Sequence, residues 1–352
     1  MRKLLIVAFF LLGSYGYSQN TKNYKIVTIA FYNVENLFDT KNDPITFDDD
    51  RTPEGKDHWT IAVYNKKVKN ITEVIAQIGT DVTQSAPVII GLAEIENRQT
   101  VEDLVNSTAL REENYGIAHF NSPDRRGIDV ALLYKRDIFK LIEASNHELI
   151  LRDPENPKDR IYTRDQLLVS GKLDGDLIYV IVNHWPSRRG GEARSSWKRE
   201  AAAALNKKII DSLQAVTPDA KILTMGDLND DPTNASVNKV LGAKGDKSDV
   251  QKLGLYNPMS SIFKKGVGTL AYRDGWNLFD QIILSESFLH KDYTSYRFYK
   301  VGIFNKNFLK SPRGRYKGYP FRSFASGRFT GGYSDHFPVY VYLIREVDSD
   351  NK

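Results

Sequence analysis

Five short polar motifs, each at the carboxyl end of an apolar run, limit the folds open to this chain. Apolar runs of this kind predict strands, and in α/β scaffolds ligands bind where the carboxyl ends of strands meet. Such a place can gather carboxylates, amides and imidazoles around one phosphate and one divalent metal. In chain order the motifs are Phe31-Tyr32-Asn33-Val34-Glu35-Asn36, Ala93-Glu94-Ile95-Glu96-Asn97, Asn183-His184-Trp185, Gly226-Asp227-Leu228-Asn229 and Ser334-Asp335-His336.

The sequence pattern predicts strands that alternate with helices. Residues 25–31 alternate polar and apolar side chains, as in a strand, and residues 87–92 are continuously apolar, as in a strand buried on both faces. Apolar residues in 61–78 recur at steps of three and four, which predicts an amphipathic helix that Gly79 can end. Several strand pairs lack an intervening helix, so the pattern suits two packed mixed sheets with helices outside. Further elements are predicted as strands at 128–134, 176–183, 220–225, 279–284 and 337–344, a helix at 192–216 and an acidic loop at 39–57.

The first 18 residues have the parts of a secretory signal peptide: Arg2-Lys3, an apolar run, and then small residues. We expect cleavage near Ser18, which leaves residues 19–352 as a single catalytic domain, since no linker-like break or internal repeat interrupts them. The apolar run is shorter than the roughly 20 residues of a membrane span. No lipoprotein cysteine follows it. We therefore expect a secreted or periplasmic protein without a stable membrane anchor.

The absence of cysteine excludes disulfides, a thiol nucleophile and a zinc–thiolate site. If a phosphate ester were bound among these motifs, its hydrolysis would need a metal to neutralise the phosphate, a base to activate water, and an acid or metal at the leaving oxygen. The hard oxygen ligands of the motifs indicate Mg²⁺, with Mn²⁺ or Ca²⁺ as alternatives. Glu94 is the first candidate metal ligand, and Asn33 and Glu35 would share one face and join it there. A solvated carboxylate at a strand end and an Asn-capped turn are the alternative interpretations.

Asp227 and Asn229 share a face after the fourth apolar run. An Asx-rich turn is the alternative interpretation, because Asp230-Asp231-Pro232 follows directly. Two histidines, His184 and His336, also stand at strand ends, and imidazole is the side chain best suited to proton transfer near neutral pH. One histidine in such a place is more often structural than catalytic. Two of the six in the chain, both in such places, favour catalysis.

The order and wording of the five motifs resemble the endonuclease/exonuclease/phosphatase superfamily, which has the DNase I-like fold, over residues 25–344. The resemblance implies the α/β (α+β) fold class, as a four-layer α/β/β/α sandwich of two mixed sheets. It also implies that Asp227 orients or deprotonates the attacking water, that Asn229 binds the phosphate, and that Asp280 partners His336.

Further site residues follow only from the same resemblance. Asp335 resembles the last carboxylate on the metal side, and Arg164 resembles an arginine that grips the phosphate. For His184 the nearest candidate partner is Asp129, although an ordinary strand residue is an equally good interpretation of that position. Ala93 departs from the family pattern, since many members carry an amide just before the glutamate. This departure indicates a different subgroup rather than a lost metal site.

Residues 291–333, called here the basic segment, carry ten Lys or Arg residues against Asp292 alone. Aromatic residues are interleaved with these cations, a combination that suits a nucleic-acid backbone with stackable bases. Arg313 and Arg315 are the candidate substrate-binding residues of the segment, and Arg188 and Arg189 add charge just after the third motif. The alternative is that many of the aromatics belong to the core and the charges are only solvated.

Together these features predict an exported, divalent-metal-dependent phosphodiesterase, most simply a monomeric endonuclease that hydrolyses DNA, with RNA as a further candidate substrate. A phosphatase and a phospholipid phosphodiesterase of the same fold are the alternatives. An inactive binding module is more remote, because Glu94, Asp227, His184 and His336 are all present. The sequence leaves open the preferred ester, the number of metals, the choice between periplasm and medium, and an extra Ca²⁺ in residues 39–57.

Overall fold

The computed structural model of the protein describes residues 22–347. The predicted signal peptide, residues 1–18, lies outside the described residues. The assignment of residues 19–352 to a single domain stays a prediction. Across residues 22–347, no helix is long and apolar enough to cross a membrane.

Strands dominate the described part of the chain, and few helices join them. The strands are β1 (Asn23–Leu37), β2 (Ile89–Ile95), β3 (Tyr115–His119), β4 (Asp129–Lys135), β5 (Phe139–His147), β6 (Leu151–Arg152), β7 (Arg160–Ile161), β8 (Gln166–Leu173), β9 (Asp176–His184), β10 (Lys221–Asp227), β11 (Ala243–Lys244), β12 (Leu255–Tyr256), β13 (Leu270–Tyr272), β14 (Gly275–Asn277), β15 (Asp280–Ser285), β16 (Arg297–Ile303), β17 (Phe324–Ala325), β18 (Arg328–Phe329) and β19 (Val339–Val347). The α-helices are α1 (Ile61–Ile75), α2 (Thr80–Thr83), α3 (Arg98–Val105), α4 (Glu192–Val216) and α5 (Ser260–Phe263). Short 3₁₀ turns lie at Asp49–Arg51, Arg111–Glu113, Lys247–Asp249, Glu286–Leu289 and Asn307–Leu309, and a π-helical turn lies at Ser236–Val240.

Two mixed sheets organise the described strands. Sheet A has six strands there in the order β16-β19-β1-β2-β4-β3, and sheet B has seven in the order β11-β12-β15-β10-β9-β8-β5. Sheet A contains the parallel pair β1–β2, and sheet B contains the parallel pair β9–β10. Parallel pairing requires a crossover connection, and α1 and α4 lie in these two crossovers. Because both strands of a parallel pair end at the same edge, the residues that follow them come together.

The two sheets pack face to face, with helices on both outer surfaces. One apolar cluster fills the space between the sheets, and Phe31 of β1, Val182 of β9 and Met225 of β10 belong to it. A second cluster joins the outer face of sheet A to α1 and α3, and a third joins the outer face of sheet B to α4. The four-layer α/β/β/α architecture that the sequence implies is therefore confirmed.

Most predicted elements are present, with shifted ends. β1 continues to Leu37 instead of ending at residue 31, α1 ends at Ile75 ahead of Gly79, and α4 has the predicted bounds. The sequence analysis missed β5 and β8, which pair at one edge of sheet B. Most side chains of β5 are exposed or half-buried, so this edge strand carries little apolar signal.

Gly226 allows the two strands of the β9–β10 pair to approach closely. It stands opposite Asn183, and a Cβ at position 226 would lie 2.2 Å from the Asn183 carbonyl oxygen and 2.7 Å from its Cβ. Any larger residue would therefore push the strands apart one position before His184 and Asp227.

Gly226→Ala should lower the free energy of unfolding by about 1–3 kcal/mol, because an added methyl against fixed backbone overpacks the sheet. Thermal unfolding followed by circular dichroism measures the change. Gly275→Ala is the matched control, since a Cβ there comes no closer than 3.5 Å to the Tyr272 carbonyl oxygen. Equal melting temperatures for the two variants would contradict this account of the strand contact.

Candidate active site

Three predicted site residues stand in register across sheet B. Asp227 ends β10 and is paired with His184 of β9 on one side and with Asp280 of β15 on the other. Side chains paired across neighbouring strands project from the same face, and all three are buried. Alternation along β10 puts Asp227 on the same face as Met225, which is the inner face of sheet B. The site therefore begins where the core between the sheets ends.

Sheet A supplies Asn33 and Glu94 from its own parallel pair. Asn33 faces inward, because it follows the inward-facing Phe31 by two residues. Strict alternation would turn Glu94 outward with Leu92, but the pairing of β2 with β4 shifts at this point and Glu94 has a φ of +65°. This bulge redirects the carboxylate toward Asn33.

Four of the twelve non-glycine residues with left-handed backbone among residues 22–347 lie at the site. They are Glu35 (φ 53°), Asn36 (φ 52°), Glu94 (φ 65°) and Asn229 (φ 50°). Such conformations cost on the order of 1–3 kcal/mol each and persist only where the surrounding structure enforces them. Their clustering at the ends of β1, β2 and β10 is typical of a functional site.

The side chain of Asn33 joins the two sheets. Its Nδ2 donates to Asp227 Oδ2 at 3.0 Å and approaches Glu94 Oε1 at 3.4 Å. Its Oδ1 accepts a hydrogen bond from the Glu35 backbone N–H at 3.0 Å. The backbone N–H of Asn36 donates to Glu94 Oε2 at 2.8 Å. Carboxylates from different sheets are thereby brought to one point.

His336 is fixed by a carboxylate, as the resemblance implies. Its Nδ1 lies 2.7 Å from Asp280 Oδ2, and its Nε2 lies 3.9 Å from Asp227 Oδ2. Its backbone N–H donates to Ser334 Oγ, which itself donates to the carbonyl oxygen of Asn33. Burial would lower the pKa of His336, but Asp280 and Asp227 raise it well above the ordinary value. These carboxylates therefore favour the protonated imidazole.

His184 has the opposite electrostatic environment. Its Nε2 lies 3.6 Å from Asp227 Oδ2 and 3.8 Å from Glu94 Oε1. Its Nδ1 is buried and has no hydrogen-bond partner within residues 22–347. Burial, reinforced by the positive charge of Arg164, lowers the pKa of His184 well below the ordinary value. One neutral and one protonated imidazole thus approach the same carboxylate, a pairing that is typical of acid–base sites.

Asp227 is the carboxylate that both imidazoles approach. Its Oδ1 accepts a hydrogen bond from the backbone N–H of Asn229 at 2.9 Å. Burial raises the pKa of Asp227 to about 6, against the opposing charge of His336. A carboxylate with a pKa near neutrality is suited to accept a proton from water. The side chain of Asn229 donates to the Trp185 carbonyl oxygen at 3.0 Å, which holds the amide beside the end of β9.

Glu35 and Asp335 are joined by an arginine that the motifs do not include. Arg322 Nε donates to Glu35 Oε1 at 3.3 Å, and its Nη2 donates to Asp335 Oδ2 at 3.1 Å. Glu35 is buried, and its Oε2 accepts from both the backbone N–H and the hydroxyl of Ser323. Asp335 is 37% exposed, and its Oδ1 lies 4.0 Å from His336 Nε2. Of the two carboxylates, Asp335 is the better placed to bind a metal.

Arg164 does not reach the site as a free phosphate ligand, which corrects the expectation from the sequence. Its side chain is buried, with Nε donating to the His184 carbonyl oxygen at 3.1 Å and Nη2 to that of Trp185 at 2.6 Å. Its Nη1 pairs with Asp124 Oδ2 at 3.1 Å. These contacts position the end of β9 and engage all three nitrogens of the guanidinium, and the Arg164 side chain is only 6% exposed.

Asp129 is likewise not the partner of His184. Its carboxylate lies 3.0 Å from His119 Nε2 and accepts a hydrogen bond from the backbone N–H of Ser122 at 2.8 Å. These contacts belong to the β3–β4 edge of sheet A. That candidate partnership is therefore wrong.

The other predicted arginines fall into two groups. Arg188 is bound within the protein, and its Nη2 lies 3.2 Å from Asp230 Oδ1. Arg189, Arg313 and Arg315 are exposed, and the structure shows no ion pair for them among residues 22–347. Only this second group is free to meet a polyanion.

The donor atoms of the site fit a divalent cation. Glu94 and Asp335 offer the hard carboxylate oxygens that Mg²⁺, Mn²⁺ and Ca²⁺ prefer. The ligand atoms of Asp227, Asp280 and His336 also lie within 4.8 Å of one another and could hold an ion. Glu94 suits a hard cation better than this cluster, because Asp280 and His336 already bind each other at 2.7 Å.

Arg322 and Lys67 are site residues that the sequence analysis did not single out. Lys67 of α1 is fully buried, its Nζ lies 4.0 Å from Glu35 Oε2, and burial lowers its pKa to about 8. A signal was present, because position 67 lies on the apolar face of the predicted helix, between Tyr64 and Ile71. A buried lysine requires a carboxylate partner. Arg322 is one of many cations in the basic segment, so nothing in the sequence distinguishes it in the way that the apolar helix face distinguishes Lys67.

Comparison with known proteins supports the fold described above. Residues 28–345 match the model of the Endonuclease/Exonuclease/phosphatase family. No curated protein matches the sequence. At the identities given below, the likeness to solved structures shows the fold alone. Similar structures include humanized D. rerio TDP2 (14% identity, 90% of this chain and 98% of that one, TM-score 0.54), an endonuclease/exonuclease/phosphatase family protein from Bacteroides thetaiotaomicron (17%, 94% and 98%, 0.51) and the mannosyl-6-phosphatase Bt3783 from the same organism (18%, 90% and 99%, 0.50).

Asp280→Asn should lower the pKa of His336, because it removes the largest of the charges that oppose the effect of burial. A pH titration of the imidazole signals by NMR measures the shift. The exposed His290, paired with Glu286, serves as the internal reference. An unchanged pKa for His336 would show that Asp280 does not control its protonation.

Proposed function

This chain belongs to the endonuclease/exonuclease/phosphatase family, and on that premise we propose that it is an exported, divalent-metal-dependent endonuclease that hydrolyses DNA, with RNA as a further candidate substrate. Members of this family are hydrolases of phosphoester bonds. The nuclease activity, the export and the choice of metal are the parts that we add. We take Mg²⁺ as the metal, with Mn²⁺ or Ca²⁺ as alternatives.

The chain's own residues supply the acid–base chemistry of the proposed reaction. Asp227 orients the attacking water and accepts its proton, and the neutral His184 lies 3.6 Å away to share in that transfer. The protonated His336, held by Asp280, stabilises negative charge on the phosphate. A divalent cation at Glu94 would neutralise the phosphate and stabilise the leaving oxygen.

The observation that carries the nucleic-acid assignment is the direct connection of the basic segment to the site. Arg322 and Ser323 of this segment contact Glu35. The exposed Arg313 and Arg315 precede them in the same segment. A polyanion bound at the reacting groups would therefore meet additional cations along its backbone, which favours a nucleic acid over a small ester.

A phosphatase that acts on a sugar phosphate is the second candidate. A pocket beside the end of β2 is lined by carboxylates and amides, groups that bind sugar hydroxyls. Its polar lining includes Asp39, Asp43, Glu96, Asn97 and Asn121. A mannosyl-6-phosphatase is among the similar structures, which supports testing this substrate class directly.

Export, a monomeric state and the lack of a stable membrane anchor remain part of the proposal. The signal-like composition of residues 1–18 supports export. Size-exclusion chromatography with light scattering tests the monomeric state, and detection of the protein outside the cytoplasm of its producing cell tests export, both independently of activity.

Purified protein should nick supercoiled plasmid when Mg²⁺ or Mn²⁺ is present and should stop when EDTA is added. His184→Ala and His336→Ala should each lower the rate by about 10²–10⁴-fold, because each removes a group that handles a proton or charge in the transition state. His290→Ala, an exposed histidine on the 3₁₀ turn after β15, is the control. Agarose electrophoresis gives the rates.

Three outcomes would each contradict part of the proposal. Absence of nicking by folded protein, together with release of phosphate from a sugar phosphate, would favour the second candidate function. Hydrolysis of phosphatidyl esters instead would favour the phospholipid phosphodiesterase. Near-normal rates for either histidine variant, on whichever ester the wild type cleaves, would overturn the acid–base assignment.

Replacement of Arg313, Arg315 and Lys317 by Gln should make DNA binding less sensitive to salt. The slope of the logarithm of the DNA association constant against the logarithm of the salt concentration should fall by about 1 for each phosphate that these side chains neutralise. Fluorescence anisotropy with a labelled duplex measures the slope in the presence of EDTA, which prevents cleavage. The same replacement at three lysines of the outer helix provides the control: Lys198, Lys207 and Lys208 of α4. Equal slopes for the two triple variants would remove the basic segment from the binding surface.

A further inference from the structure

Arg322 stands at the opening of the site and is held there by two carboxylates. Its Nε donates to Glu35 Oε1 and its Nη2 donates to Asp335 Oδ2, at 3.3 and 3.1 Å. The side chain is nevertheless 53% exposed. A guanidinium has five N–H donors, and these two contacts engage two of them.

The backbone beside Arg322 is anchored by a buried polar network. Ser323 donates to Glu35 Oε2 from both its backbone N–H and its hydroxyl. Lys67 Nζ donates to Ser323 Oγ at 2.6 Å and to the Tyr333 carbonyl oxygen at 2.9 Å. Glu35, Lys67 and Ser323 are each at most 3% exposed. The arginine is therefore presented from a rigid support, which reduces the entropy lost when it binds a ligand.

We propose that Arg322 is the arginine that binds a phosphate oxygen of the substrate, the role that the sequence analysis gave to Arg164. The proposal rests on the proposed function only in that the ligand is a phosphate ester. Arg164 is buried and bonded on three nitrogens within the protein. Arg322 is exposed to solvent, has N–H donors that its two carboxylate contacts do not engage, and contacts Asp335, the residue next to His336.

The charge balance of the site gives a reason for this arginine. Glu35 and Asp335 would repel an anionic phosphate from the region beside His336. Lys67 lies 4.0 Å from Glu35 and is too deeply buried to meet a ligand. The positive charge of Arg322 offsets the negative charges of both carboxylates. Its remaining N–H groups, which these carboxylates do not engage, lie in a planar fork that matches phosphate geometry.

The test compares Arg322→Ala and Arg322→Lys with Arg98→Ala. Arg98 is a close match, because its Nε donates to Glu102 Oε1 at 2.9 Å and its side chain is 55% exposed, but it lies on α3. Calorimetry measures the binding of inorganic phosphate to each full-length protein, once with Mg²⁺ and once with EDTA. Steady-state kinetics on the ester that the wild type hydrolyses then separate KM from kcat.

Arg322→Ala should weaken phosphate binding by about tenfold or more, since it removes a charge-assisted hydrogen bond. Arg322→Lys should retain part of the affinity, because it keeps the charge without the fork. Arg98→Ala should leave the dissociation constant within about twofold of the wild type, as expected for an exposed ion pair. On the ester, Arg322→Ala should raise KM, whereas an arginine that only braces the loop would lower the melting temperature and leave KM and phosphate affinity unchanged.

Equal phosphate affinities for wild type and Arg322→Ala would overturn the proposal, and so would a wild type that does not bind phosphate. Should neither Arg322 variant fold, the Nε–H signal of Arg322 in the wild type provides the readout, and a signal that phosphate leaves unmoved would contradict the assignment. Phosphate binding does not depend on which ester is cleaved. Loss of binding in Arg322→Ala alongside a failed plasmid assay would therefore sustain this inference and reject the nuclease.

Discussion

The hydrogen bond from Asn33 Nδ2 to Asp227 Oδ2 is the contact on which the rest of the site depends. It crosses from one sheet to the other and joins residues that are 194 positions apart. Each sheet contributes a parallel pair that ends at this edge, and the core cluster below holds both pairs in place. A shift of β10 by one residue would turn Asp227 to the outer face and dissolve the whole arrangement.

Two groups of buried charges near this contact position different segments of the chain. Arg164 and Asp124 form a buried pair that holds the end of β9, so they determine where His184 lies. Lys67 and Glu35 form a second buried group that holds Ser323, so they connect the basic segment to β1. Neither group is a strong source of stability, because desolvation offsets most of the attraction between buried charges. Their value is positional: each places a side chain that must meet the substrate.

Much of the fold and part of the site could be predicted from the sequence. Apolar runs followed by polar motifs predicted β1, β2, β9 and β10, and the strand ends brought Asn33, Glu94, His184 and Asp227 together as expected. The bulge at Glu94 could not be predicted, because alternation alone would have turned this residue outward. The burial of Arg164 and the exposure of Arg322 were also beyond reach, since both depend on contacts between segments far apart in the chain.

The most direct test of the account is the position of a bound metal. Crystals grown with Mn²⁺ and measured near the manganese absorption edge would show the ion by its anomalous scattering. We expect a peak in contact with the Glu94 carboxylate, beside Asn33 and within reach of the phosphate that His336 would stabilise. A peak that lies instead among Asp39, Asp43 and Glu96, with none at Glu94, would contradict the proposed metal site and the mechanism built on it.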